Sequence, residues 1–341
     1  MRQGQLLVVM SQLGLNQQNT LMLHSFSANI VKSAEIEGEL LNLEQVWSSI
    51  ARRLGIQTAG LVDSPPYIDG VVEMMLDATQ RYQEPLTDER LFGWHNTLFP
   101  TGRSGLYKIE VGCYRTHEMQ VVSGPMGMER VHYEAPKPDR VPQEKEAFLS
   151  WINSTDTTDP LLRAAIAHLW FVTIHPFDDG NGRIGRAVMD MMLSRADGTP
   201  YRFYSLSSQI LKSRKEYYQV LEDEQKGDGD ITEWLLWFLQ TTEKALGEAE
   251  NSVRKAVERQ NFWLSVALLS FNDRQRKMMD VLMEDFKGNL TSGKWAKICH
   301  CSSDTALNDI KDLMAKGVLE KGESGGRNTN YVMRNQQQTK N

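Results

Sequence analysis

Apolar positions along most of this chain recur every three or four residues, the period of a helix with one buried face. Residues 4–32 carry that pattern with a break near Leu13–Gln18. Asn42 suits the N-cap of a helix through Val46, Ile50 and Leu54 that ends at Gly55, with Gln45 at its third position. Two more helices are predicted over Asp69–Tyr82 and Thr87–Phe99, the second capped by Thr87 and stopped by Pro100. Residues 101–142 change character. Short alternations at Met119–Val122 and Arg130–Tyr133 flank Ser123-Gly124-Pro125 and predict a β-hairpin over 119–134.

Helical spacing resumes near Gln143. Pro160 opens a helix over Leu161–Ile174, with Leu162, Ile166, Leu169 and Val172 or Thr173 on one side. After a loop at 175–182, helices are predicted over Arg183–Arg195, Ser213–Gln225 and Ile231–Gly247, and a linker helix over 248–271 leads away from this body. Residues 272–335 read as a separate unit: three helices, then two short strands around Gly325-Gly326, the order of a winged helix. The tail 336–341 is polar and expected to be disordered. The expected class is therefore mainly α, with one hairpin in the body and a C-terminal winged helix-turn-helix domain.

Composition narrows the setting. The chain has 341 residues and is 40% hydrophobic, enough for more than one core. The net charge of −6 gives no general attraction to nucleic acid or membranes. The start holds only a four-residue apolar run, Leu6–Val9, and no stretch has the length of a membrane span. Three cysteines make no disulfide framework. Cys299-His300-Cys301 lacks the spaced pairs of a structural zinc site. A cytoplasmic protein with no membrane partner is expected.

The chemistry concentrates in His175–Arg186, which reads HPFDDGNGRIGR. Gly180, Asn181, Gly182 and Arg183 stand at the start of a helix, where unpaired N–H groups and the dipole favour an anion. Asn181 can add a donor. Arg183 and Arg186, three apart on one face, add forked donors suited to phosphate. Asp179 is a hard oxygen ligand for Mg²⁺. His175 is the one group here that moves protons near neutral pH. Base, metal ligand and anion hole together point to phosphoryl or nucleotidyl transfer. The letters also satisfy GxGxxG and approach GxxxxGK[ST], but both need a strand running into the first glycine, and here a helical segment and HPFDD come first. Read alone, Asp-Gly-Asn-Gly is an ordinary interhelical turn.

HPFDDGNGRIGR resembles the signature of the Fic family, His-x-Phe-x-(Asp/Glu)-Gly-Asn-Gly-Arg-x-x-Arg, at every fixed position, and the likeness extends over about residues 25–245. It implies a Fic-type helical bundle over 61–247 with a hairpin flap, preceded by an N-terminal helical domain, 1–60. It also implies an enzyme that transfers AMP from ATP to a Ser, Thr or Tyr hydroxyl of a protein, itself included. His175 would then be the base and Asp179 the Mg²⁺ ligand. Gly180, Asn181, Gly182 and Arg183, continuing through Ile184 and Gly185, would form the nucleotide cradle, and Arg186 would meet the γ-phosphate. Phe177 would anchor the loop in the core. Val121, Val122, Ser123 and Gly124 of the flap would line the ATP site, and Tyr217, Tyr218 and Gln225 would contact adenosine; for each tyrosine helix packing is an equal reading.

Ser33-Ala34-Glu35-Ile36-Glu37-Gly38 fits the family's inhibitory pattern, (Ser/Thr)-x-x-x-Glu-(Gly/Asn). By resemblance Glu37 pairs with Arg186 and turns ATP into the wrong pose. The same carboxylate could position water for AMP removal, so the direction stays open. Similar proteins carry a further helix's worth of residues before the position of Met1, which implies a shortened N-terminal domain. Two other readings differ in kind: a nucleotide-sensing regulator that binds DNA through the winged helix, and a Fic-type transferase with another donor. Residues 272–341 hold 12 Lys and Arg against 9 Asp and Glu, a weak basic bias that suits protein docking or a homodimer as well as DNA.

Overall fold

The structure, a computed structural model, describes residues 4, 8, 10, 13–56, 60–124, 128, 130–200, 202–284, 286, 288–322 and 329–334. It separates into two compact units, Met1–Glu250 and Asn251–Asn341. In the first unit the described elements run α1 Leu15–Ile36, α2 Leu43–Leu54, α3 Pro66–Gln80, α4 Asp88–Leu98, β1 Arg103–Ser104, β2 Tyr107–Lys108, β3 Gln120–Ser123 and β4 Arg130–Glu134. They continue as α5 Val141–Asn153, α6 Pro160–Ile174, α7 Asn181–Asp197, α8 Leu206–Lys212 and α9 Arg214–Lys226. Helix α10, Thr232–Ser265, crosses the boundary between the units.

Local chemistry sets the ends of these helices. The Asn42 side chain accepts from the Gln45 N–H at 3.1 Å, and Gly55 closes α2 in a left-handed conformation. Thr87 caps α4 through the Arg90 N–H, and Asp159 caps α6 with Pro160 at its first position. Helix α7 lies at the centre, packed against α3 and α6. Every residue from Arg183 to Ser194 is buried, so the helix is enclosed on all sides. Its polar residues must then find partners inside the protein. Helix α1 supplies several of them: Asn29 donates to Asp190 at 2.7 Å, and Ser33 receives Arg186. Arg202 completes the Asp190 cluster as an ion pair.

The flap strands pair antiparallel from Gln120↔Glu134 to Ser123↔Arg130, with a bulge between Val121 and Val122. Pro125, expected at the hairpin's turn, lies outside the described residues. In the second unit α11 Asp273–Met283, α12 Ser292–Cys299 and α13 Ser303–Ala315 are followed by β5 Leu319–Lys321 and β6 Tyr331–Met333, which pair antiparallel. Met278, Met279, Trp295, Ile310, Leu313 and Val318 form their core. A capping box joins Asn272 to Gln275 at the start of α11. The tail expected to be disordered also falls outside the described residues.

Four expectations are corrected. Helix α10 runs unbroken through Gly247 to Ser265, so no separate linker helix begins at 248. Helix α7 begins at Asn181 rather than Arg183, because Gly180 at φ 81° is its N-cap. The seven-residue α8 and the two-residue strands β1 and β2 were absent from the periodicity, being too short to show a period. The helix expected over Ser213–Gln225 instead has Ser213 as its N-cap and ends at Lys226. Among the described residues no helix is long and apolar enough to cross a membrane.

Candidate active site

The loop between α6 and α7 is fixed from inside. The Phe177 ring is fully buried, 4.3 Å from the His95 ring and 5.4 Å from that of Tyr114. Asn181 closes the loop on it: Oδ1 accepts from the Phe177 N–H at 2.9 Å, and Nδ2 donates to the Phe177 carbonyl at 2.8 Å. The Asn181 amide thus braces the loop backbone, with one of its two Nδ2 hydrogens used on the Phe177 carbonyl. Gly180 needs its left-handed conformation, and a Cβ there would lie 2.9 Å from the Phe99 ring. A Cβ on Gly182 would lie 2.1 Å from Glu37 Oε1, so glycine alone leaves room for that carboxylate.

His175 caps α6 at φ 50°, a conformation uncommon for a residue with a Cβ. Its Nδ1 lies 3.1 Å from the Val172 carbonyl. A carbonyl only accepts, so Nδ1 carries the hydrogen and Nε2 keeps the lone pair. Burial holds the His175 imidazole below its ordinary range, and the Arg115 guanidinium adds to that effect, while the Val172 hydrogen bond, Glu37 and Asp179 oppose it. A neutral imidazole with a free Nε2 is a base. Gln225 donates to the same Val172 carbonyl at 3.3 Å, which links α9 to this turn.

Both arginines of the motif are engaged by carboxylates from beyond α1. Arg186 is 0% exposed; its Nη1 lies 2.7 Å from Glu37 Oε1, its Nε donates to Ser33 Oγ at 2.8 Å and its Nη2 to the Ser33 carbonyl at 2.9 Å. Burial alone would depress the Arg186 guanidinium, but Glu37 more than offsets it, and its pKa stays above the ordinary value. Arg183 is gripped at both carboxylate oxygens of Glu39, at 2.7 and 2.8 Å, and stacks over the Phe99 ring. Gly38 at φ 84° stands between the two glutamates. Glu39 was not among the residues singled out from the sequence.

Asp179 stands at the loop's mouth with its side chain 42% exposed. One oxygen receives the Gly180 N–H at 2.5 Å and the other the Ser104 hydroxyl. Among the described residues no cluster of three or more metal-binding side chains occurs. A single accessible carboxylate does fit Mg²⁺, which takes one or two and fills its shell with phosphate oxygens and water.

The other residues expected to contact nucleotide sit in varied surroundings. Ile184 is fully buried, and Gly185 presses on α6, where a Cβ would lie 2.8 Å from Val172 Cγ1, so both take part in packing. Tyr217 is buried, its hydroxyl 2.8 Å from His168 Nε2 and its ring against Trp234 and Trp237, so packing is its part as well. Tyr218 instead reaches the end of α1, its hydroxyl 3.5 Å from Glu37 Oε2. On the flap, Ser123 Oγ lies 2.5 Å from His132 Nε2, and His132 Nδ1 lies 2.6 Å from Glu222, which fastens the hairpin to α9. Val121 is half-buried, while Val122, Ser123 and Gly124 are exposed.

Arg115 had no signal in the sequence. It is 2% exposed and sits behind His175, donating through Nε to the His175 carbonyl at 2.7 Å.

Residues 85–193 match the Fic/DOC family, and residues 1–56 match a domain of unknown function (DUF4172). A protein adenylyltransferase Fic of Nematostella vectensis is 24% identical over 228 residues, covering 65% of this chain and 48% of its own. A protein adenylyltransferase of Caenorhabditis elegans is 37% identical over 93 residues, 27% of this chain and 17% of its own. The chain thus spans about half or less of the length of these relatives. Among solved structures, a Fic family protein from Desulfovibrio desulfuricans has a TM-score of 0.51 at 22% identity, covering 97% of this chain and 95% of that one. A Fic-domain signaling protein from Bacteroides thetaiotaomicron has a TM-score of 0.53 at 20% identity, covering 76% and 97%. These two share the fold. Residues 85–193 thus carry a Fic/DOC domain.

Proposed function

We propose that this chain is a protein adenylyltransferase held in a self-inhibited state. One observation carries the reading: His175 presents a free Nε2 beside a helix N-terminus whose two arginines are both answered by carboxylates where phosphate oxygens would sit. The names of its relatives as protein adenylyltransferases support the same reaction.

In this reading a Ser, Thr or Tyr hydroxyl of a target protein loses its proton to His175 Nε2 as its oxygen attacks the α-phosphorus of ATP. The bond to the β-phosphate oxygen breaks and pyrophosphate leaves. The N–H groups at the start of α7 and Arg183 receive the phosphates, and Arg186 receives the γ-phosphate. Mg²⁺ held by Asp179 would offset the phosphate charge. The flap, an exposed two-stranded hairpin, offers an edge along which an extended target segment can pair.

Inhibition follows from competition. A carboxylate already on Arg186 removes the partner of the γ-phosphate. Glu39 on Arg183 does the same to the second guanidinium, so both forks are plugged by one short segment.

The test compares the chain with its Glu37→Gly and His175→Ala variants, using α-labelled ATP, Mg²⁺ and a host lysate. Label on protein should rise at least tenfold in Glu37→Gly and vanish when His175→Ala is added. An unlabelled Glu37→Gly protein in every lysate overturns the proposal.

A further inference from the structure

Among the described residues, every side-chain hydrogen bond of the buried Arg115 cation goes to a main-chain carbonyl. Besides His175, its side chain donates to the carbonyls of His117 at 2.8 Å, Pro136 at 2.5 Å and Ile174 at 3.4 Å. Its own N–H donates to the Pro176 carbonyl at 2.9 Å. Five contacts therefore converge on three places: the end of α6 with its His175–Pro176 turn, the segment leading into the flap at 117, and the segment leaving it at 136. The fork geometry of guanidinium suits this task, because its donors point in fixed, coplanar directions. A lysine offers one tetrahedral point charge in the same volume.

The place of those contacts matters. His175 adopts a left-handed conformation costing about 1 kcal/mol or more in an L-residue, so something must hold it there. The Arg115 Nε–carbonyl bond is made at that very residue. The charged groups that act most on the base include Asp179 from the loop, Glu37 from beyond α1, and Arg115 itself. The two carboxylates favour the imidazolium, and Arg115 opposes it.

We infer that Arg115 is the positioning residue of the base: its buried guanidinium clamps the His175 turn to both ends of the flap. This rests on the adenylyltransferase reading for its kinetic arm only. The loss expected is in turnover, because a base displaced by a fraction of an ångström reacts slowly while the nucleotide cradle stays formed.

Two variants separate the fork of Arg115 from its charge, each built on the Glu37→Gly parent. Arg115→Lys keeps the charge and loses the fork. It should lower kcat about 10- to 100-fold while the KM for ATP stays within about threefold. Arg115→Gln keeps a donor and loses the charge. It should also move the acid limb of kcat/KM to higher pH, since the imidazolium then forms more readily and the base is lost sooner as pH falls. The Arg115→Lys limb should stay near the parent's. The His175 imidazole titration, followed by NMR on the unreacted chain, reads the charge effect without any transfer: its midpoint should rise in Arg115→Gln.

An unchanged kcat in Arg115→Lys, or a fall carried wholly by the KM for ATP, overturns the clamp. A His175 midpoint that does not move in Arg115→Gln also overturns it, because a guanidinium held on that turn acts on the imidazole. If the parent itself transfers no AMP, the adenylyltransferase reading fails, and the NMR midpoint still decides whether Arg115 acts on the base.

Discussion

At the scale of single residues, the self-inhibited state proposed above requires nucleotide to displace the carboxylates on the motif arginines. Glu37 is an expected competitor; Glu39 is a second one, with its side chain 44% exposed and bound to Arg183 through both oxygens. A charge-assisted hydrogen bond contributes about 1.5–3 kcal/mol, and the exposure of Glu39 discounts this to about 1 kcal/mol. In the Glu37→Gly background, Glu39→Gln should therefore tighten ATP about fivefold. Isothermal titration with ATP and Mg²⁺ checks this, and equal dissociation constants for the two proteins would remove Glu39 from the competition. The residue scale is also where the sequence was most and least legible. His175, Phe177, Asp179 and Arg186 could be named because a dense motif carries them, and Glu37 because the short pattern Ser33–Gly38 does. Glu39 and Arg115 could not. Glu39 meets its partner across 144 positions, and a glutamate on a polar loop resembles any solvated charge. Arg115 is silent for a related reason: its acceptors are carbonyls, which every residue has.

At the scale of elements, the seam between α6 and α7 decides whether the loop keeps its shape. Gly185 allows that approach, since its Cβ position is already close to Val172 Cγ1 and 3.3 Å from Phe171. Gly185→Ala should overpack the seam and cost about 1–3 kcal/mol, read as a lower midpoint in urea. A variant as stable as the parent would mean that the seam relaxes. Elements with caps were legible where the cap stood out: Asn42 and Thr87 each use a side chain to close a helix start, whereas the Asp159 cap of α6 was not read and Pro160 marked that start instead. Those marked only by a glycine were less so. Gly247 reads as a helix end, yet α10 continues through it, because tertiary packing outweighs the roughly 1 kcal/mol that glycine costs inside a helix. The cradle expected from the run Gly180–Arg186 also divides along the helical repeat. Ile184 and Gly185 turn into the core while Arg183 and Arg186 meet the glutamates that follow α1, a division that the letters alone do not show.

At the scale of the whole molecule, two histidines link the fold to pH. Burial pulls His95 and His168 down to about 4, against an ordinary value near 6.5. Both are neutral in the folded chain and take up a proton more readily when it unfolds. Their contribution is fully present above pH 6.5 and is lost as pH falls from there toward 4, by up to about 3 kcal/mol each. Denaturant melts between pH 7 and 4 should show that decline. His168→Gln should flatten it, and an equal slope in the variant would assign the decline to other groups.

Arg186 divides its donors between two jobs. Nε and Nη2 hold Ser33 and thereby keep α1 docked, while only Nη1 faces Glu37. The carboxylate can swing aside with the helix still bolted in place. Freeing Arg186 in this way needs a rotamer change of the Glu37 side chain rather than the movement of a domain. Control of this kind is a latch without a hinge. On the self-inhibited reading proposed above, a releasing signal has to occupy or neutralise the carboxylates of Glu37 and Glu39, and small-angle scattering of the chain and its Glu37→Gly variant should superimpose.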